Sequence, residues 1–124
     1  MKKFLGLATG LLLTVFTMAH HGVAFNDASS DYDKAATTEF NFTMDSNFSL
    51  DDINSTAAFY TDYFTVTTAE NGEGHTVTFT LAQDDEMSRR VITRFFVSLE
   101  VTEIDVNGEH MEVNHFVMTY IMKG

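Results

Sequence analysis

The chain has 124 residues, a formal net charge of -11 (18 Asp and Glu against 7 Lys and Arg), and no Cys, Pro or Trp. That length admits one domain, and the lack of Cys excludes disulfides, thiolate chemistry, Cys-ligated zinc and lipidation of an N-terminal Cys. The acidic balance argues against nucleic acid, whose phosphates need Lys and Arg to neutralise them, and favours cations or basic partners.

Lys2 and Lys3 precede the apolar run Phe4 to Phe16, and small residues follow. This is the pattern of a bacterial-type export signal. The run is shorter than the roughly 20 residues a spanning helix needs. Two cleavage points fit. Thr17-Met18-Ala19 gives a signal over 1–19 and a new N-terminus at His20, whereas Gly22-Val23-Ala24 gives one at Phe25. The first is preferred. The expected location is the periplasm or the exterior, with no membrane insertion after cleavage. Residues 20–38 read as a flexible acidic leader, polar and without a sustained period. Asp27, Asp31 and Asp33 fall in it, but the Gly and terminal Glu of an EF-hand loop are missing.

Glu39 to Met44 alternates, with Phe40, Phe42 and Met44 on one side and Glu39, Asn41 and Thr43 on the other. Period two predicts a half-buried strand. Ser49 stands ahead of Leu50, Asp51 and Asp52, which is an N-cap followed by an acidic first turn. Leu50, Ile53, Ala57, Tyr60 and Phe64 follow at helical spacing, so one amphipathic helix is expected over 50–62.

From residue 63 the chain reads as two hairpins. The first turns at Asn71-Gly72. A two-residue loop sets Phe64 opposite Phe79 and Val66 opposite Val77. A four-residue loop through Gly74 slips the register by two and keeps the faces. The other face carries Thr65, Thr67, Thr76, Thr78 and Thr80. Such flat arrays can bind carbohydrate or ice, and Thr also simply suits an exposed sheet face.

The second hairpin turns at Asn107-Gly108, with long strands expected over 91–106 and 109–122. The run Val91 to Val97 is rich in β-branched and aromatic residues. A competing reading makes Asp84 to Leu99 a helix capped by Asp84, with Met87, Val91, Phe95 and Leu99 inside; period alone does not separate the two. The strand reading is carried forward, with Asp84 to Ser88 as a loop. Pairing from the turn puts Leu99 with Phe116, Val97 with Met118 and Phe95 with Tyr120 on one face. Ile104 with Met111 and Thr102 with Val113 fall on the other. The apolar side thus changes face midway, which calls for a bulge near Glu100 to Val101 or Asn114 to His115, or for cover by something else, such as the leader or another subunit.

The expected fold is α+β: one helix packed on a twisted antiparallel sheet of about five strands, forming a single domain over 39–124. Its core is expected from Phe40, Phe42, Phe64, Val66, Val77, Phe79, Phe95, Val97, Leu99, Phe116 and Met118. The order strand, helix, then four antiparallel strands resembles the cystatin-type architecture, in element order over 39–122. The inhibitory Q-x-V-x-G loop of that family is not present. Ile104-Asp105-Val106-Asn107-Gly108 lacks the Gln and lies in the other hairpin, so the resemblance does not imply protease inhibition.

The chain carries no G-x-S-x-G, H-E-x-x-H, P-loop or G-x-G-x-x-G, so no enzyme and no cofactor is expected. Two metal candidates stand out. Cleavage after Ala19 leaves His20 and His21 beside a free α-amine, nitrogen donors that suit Cu(II) or another divalent cation, with His75, His110 and His115 as further donors. At the tip of the second hairpin, Glu103, Asp105, His110 and Glu112 share one face. Glu103 opposite Glu112 sets like charges together, which a bound cation or a protonated His110 relieves. The expected function is a non-enzymatic binding or assembly module. It acts through sheet edges and the exposed hairpin, on a protein partner or in a homo-oligomer. The alternative is divalent-metal handling through His20 and His21.

Overall fold

The computed structural model describes residues 22–123 apart from 71 and 73. The expected signal at 1–19 and the pair His20 and His21 lie outside the described residues. Six strands form one sheet in the order β3-β4-β2-β1-β5-β6. They are β1 (Val23–Phe25), β2 (Glu39–Asp45), β3 (Phe64–Glu70), β4 (Gly74–Leu81), β5 (Glu103–Val106) and β6 (Glu109–Glu112). The helices are α1 (Leu50–Ala57), α2 (Glu86–Ser98) and α3 (Val113–Phe116). The class is α+β, with six strands rather than five and three helices rather than one among the described residues. The sheet is mixed, because β1 runs parallel to β5 while the other pairs are antiparallel. The cystatin-type order therefore does not describe the second half of the chain.

Where the sequence alternates cleanly, the strands follow it. Phe40, Phe42 and Met44 on β2 are fully buried, each contributing about 1.5–3 kcal/mol by leaving water. Ser49 Oγ accepts from the Asp52 amide at 3.0 Å and starts α1, whose Ile53 and Ala57 face the core. A 3-10 turn over Ala58–Tyr60 closes it. The first hairpin takes the longer loop: Phe64 pairs with Leu81, Val66 with Phe79 and Thr67 with Thr78. Gly74 fixes the start of β4. A Cβ there would stand 2.3 Å from the carbonyl oxygen of Met44.

Residues 84–99 overturn the strand reading. Within them Glu86–Ser98 form α2, capped by Asp85 rather than Asp84, with the Asp85 carboxylate accepting from the Ser88 amide at 2.8 Å. The buried stripe that wins has period 3.6: Val91, Ile92, Phe95 and Phe96, continued by the polar Ser88 and Arg89. Val97, placed in the core by strand parity, points outward and is 59 % exposed. The helix ends in a Schellman arrangement: the Glu100 amide donates to Val97 O at 2.9 Å, and the Val101 amide to Phe96 O at 3.0 Å. Glu100 holds the left-handed position at φ 63°, where glycine is the usual occupant.

The Asn107-Gly108 corner is present, with φ 53° and 89°, the signs a type I′ turn requires. Its strands are short. Ile104 pairs with Met111 and Asp105 with His110, and the last cross-strand bond runs from the Val113 amide to Thr102 O. Beyond it the chain coils into α3 and a π-helical turn, Val117–Ile121. The expected pairs Leu99–Phe116, Val97–Met118 and Phe95–Tyr120 therefore do not form. No face switch exists: α2, α3 and the π-helical turn take up the residues that seemed to demand it, and Met118, on that turn, is 54 % exposed.

Residues 22–38, read from the sequence as leader, supply β1 at the sheet's middle. Val23 and Phe25 are buried. The Phe25 ring lies within 6 Å of the rings of Tyr32, Phe42, Phe116 and Tyr120. The same segment caps the C-terminus. A helix end leaves carbonyls without internal donors, and three here are satisfied by side chains. Lys34 donates to Thr119 O at 3.0 Å, Tyr32 to Tyr120 O at 2.5 Å and Arg89 to Ile121 O at 2.6 Å. Burial raises the Tyr32 phenol well above its ordinary range, with the charge of Asp27 adding to the effect.

Candidate functional site

Strand pairing defines the two sheet faces. On the inner face Phe42 meets Phe96 and Phe116, and Phe79 meets Phe95, with ring centroids 5.0–5.8 Å apart. That face is the core. Among the described residues the outer face shows no ring contacts of this kind and is mostly polar. One row of it crosses all six strands: Ala69, Thr76, Thr43, Ala24, Asp105 and His110. Beside it run Thr67, Thr78 and Asn41, then Thr65, Thr80 and Glu39. The five threonines of the first hairpin thus share this face. Thr78 Oγ1 donates to Asn41 Oδ1 at 2.7 Å, and Asn41 donates its amide to Asp27 Oδ2 at 2.8 Å, so part of the polar row is tied internally.

The hairpin-tip residues come together as the register predicts: Glu103 stands opposite Glu112, and Asp105 opposite His110. His110 Nδ1 contacts Asp105 as an ion pair when protonated. Glu112 is turned to another task. Its carboxylate caps α3, accepting from the His115 amide at 3.1 Å and the Asn114 amide at 3.2 Å. Among the described residues no three His, Asp or Glu side chains form a metal-ligand group. The histidines are dispersed. His75 is buried on the inner face with Nε2 2.8 Å from Phe48 O, His110 lies on the outer face, and His115 is exposed on α3. Asp27 and Asp33, two of the leader's acids, accept from backbone amides of Asn41 and Ala35.

The two sheet ends differ. β6 is four residues long and carries Glu109, His110 and Glu112. β3 is seven residues long, reads FTVTTAE, and has Glu70 as its one charge. Lys, charge and brevity are the usual protections of an edge strand; β6 has two of them and β3 has none along its first six residues.

Elsewhere, a hollow of about 290 Å³ lies between the start of α2 and the C-terminus, beside Asp84, Arg89, Met118 and Lys123. Its charged groups satisfy one another. Arg89 Nε donates to Asp84 at 2.8 Å and Lys123 Nζ to the other oxygen at 3.0 Å; Arg89 also donates to the carbonyls of Lys34, Thr37 and Ile121. Those two hydrogen bonds, Arg89 first, hold the Asp84 carboxyl below its ordinary value. A second, wider hollow between α1 and the end of α2 is lined by Asn47, Asp52, Ser55 and Glu100 among others, with no His. No helix among the described residues is long and apolar enough to cross a membrane.

Sequence reasoning missed Arg89 as the tie between leader, α2 and C-terminus, because a lone Arg in a polar stretch reads as surface. It also missed the inequality of the two edges, which required knowing which strands are terminal. No family model matches the chain, and no curated protein or solved structure matches it.

Proposed function

We propose that the protein is a small exported, non-enzymatic binding or assembly module that accepts a strand from a protein partner, or from a second copy of itself, along β3. The observation that carries this reading is the position of β3 at the end of the sheet with an almost uncharged seven-residue edge. A terminal strand offers a row of unpaired backbone donors and acceptors, and an added strand satisfies them while pockets for alternate side chains give selectivity. The polar outer face adjoins that edge, and the β5–β6 hairpin offers a second contact surface at the opposite end of the sheet. The satisfied ion cluster around Arg89 supports a structural role, rather than a catalytic one, for the most buried charge among the described residues.

Light scattering across a wide concentration range, with hydrogen exchange of the β3 amides, tests this. Association that slows β3 exchange and is abolished by the double substitution Thr65→Lys and Thr67→Lys is the expected result. A monodisperse monomer at every concentration, alone and with cell-envelope extract, with β3 exchanging freely, would sink it.

A second reading is divalent-metal binding through His20 and His21. It is favoured by the place where the sheet begins, at Val23, because a processed chain that keeps this strand whole and starts at His20 carries both imidazoles and an α-amine. Copper titration of such a chain, compared with the His20→Ala and His21→Ala variants, tests it; equal binding by all three ends it.

A further inference from the structure

β1 is the link between the two parts of the sheet. On one side Val23, Ala24 and Phe25 pair with Met44, Thr43 and Phe42. On the other Ala24 pairs with Asp105. In the strand order β1 alone stands between β3-β4-β2 and β5-β6. Gly22 extends the pairing: its carbonyl accepts from the Asp45 amide at 3.0 Å, and its own amide donates to Asp45 Oδ2 at 2.6 Å. Val23 is 2 % exposed and Phe25 4 %.

Small residues stand at both required positions ahead of two bonds, Ala19–His20 and Ala24–Phe25, and a signal peptidase accepts either by that rule. The two products differ. A cut after Ala24 removes the Asp45 partner, one core side chain and the pairing to β5. It also leaves a charged ammonium on the nitrogen of Phe25, a core residue with its ring against four others. A cut after Ala19 removes none of these contacts.

We propose that the processing site of this chain is the Ala19–His20 bond, and that Val23 and Ala24 are retained as the central strand. A signal peptidase adds water across the bond, leaving a carboxylate on Ala19 and an ammonium on His20. The proposal rests on the export reading, and access by the peptidase does not enter it, since processing precedes folding. The fold sets which product persists.

The test uses the full chain, expressed in a bacterium with its own N-terminus, and reads intact mass and N-terminal sequence of the protein in the cell envelope and medium. A start at His20 is expected, with Ala24→Val leaving it unchanged. Ala19→Arg is expected to lower the amount of processed, folded protein several-fold, because a marginal product is cleared. A folded chain starting at Phe25, in the wild type or in Ala19→Arg, overturns the proposal while leaving export intact. Protein of full precursor mass throughout overturns the export reading itself.

Discussion

Arg89 donates to the carbonyl oxygen of Ile121 at 2.6 Å from a side chain that is 1 % exposed. The same guanidinium reaches Lys34 O, Thr37 O and Asp84, and lies 5.5 Å from the Phe40 ring. One planar fork thus joins three segments far apart in sequence. Removing it leaves buried acceptors without donors, which costs about 3–5 kcal/mol where a buried ion pair is broken. Arg89→Met should lose at least that much in urea unfolding. Arg89→Lys should lose nearly as much, because an ammonium cannot reproduce the fork.

Glu100 should be improvable. It occupies the left-handed position that ends α2, at φ 63°, and a side chain there costs about 1–2 kcal/mol against glycine. Glu100→Gly is expected to raise the thermal midpoint by several degrees, and Glu100→Ala to change it little because its Cβ keeps the strain. A drop in the glycine variant would mean that the carboxylate has a role the backbone does not reveal.

Gly74 should tolerate nothing larger. Its missing Cβ would meet Met44 O at 2.3 Å, backbone against backbone, in the pair that joins β2 to β4. Gly74→Ala is expected to destabilise by about 1–3 kcal/mol, the range for overpacking, measured by the urea midpoint. Gly72, whose added Cβ would meet nothing within 4 Å, serves as the control for volume, although its φ of 87° leaves some strain there too.

Acid should unfold the protein partly through Asp84. Hydrogen bonds from Arg89 and then Lys123 hold its carboxyl below the ordinary 3.8, so the unfolded chain binds this proton more readily than the folded one. The contribution is complete above the ordinary value and is lost as pH falls through the folded value. Asp85 adds the same sign, since the Ser88 amide it caps lowers its carboxyl as well. Stability measured in urea from pH 6 down to pH 2 should fall more steeply for the wild type than for Asp84→Asn. Parallel curves would show that Asp84 contributes nothing to the acid limb.

The first half of the domain was legible because each of its signals stands alone. Period two over β2, Ser49 before two acids, and a hairpin whose two possible loops keep the same faces lead to the elements found. The region after residue 84 failed for a local reason. A helix normally announces its end with glycine, and Glu100 stands in that place, so nothing in the letters stopped the run from Val91 being read through to Val106. The tip pairs Glu103–Glu112 and Asp105–His110 survived because they depend on the Asn107-Gly108 turn alone. β1 was hidden by its surroundings: Gly22, Val23 and Ala24 also satisfy a cleavage rule, and three residues are too few to show a period. The use of Glu112 as a helix cap could not be seen until α3 was known to follow it.

The parallel contact between Ala24 and Asp105 also sets a timetable. One neighbour of β1, β2, follows it closely in the chain, but the other, β5, is made near the end of translation, and such distant closures are slow to form. The six-stranded sheet is therefore completed only when residues beyond 105 have been made.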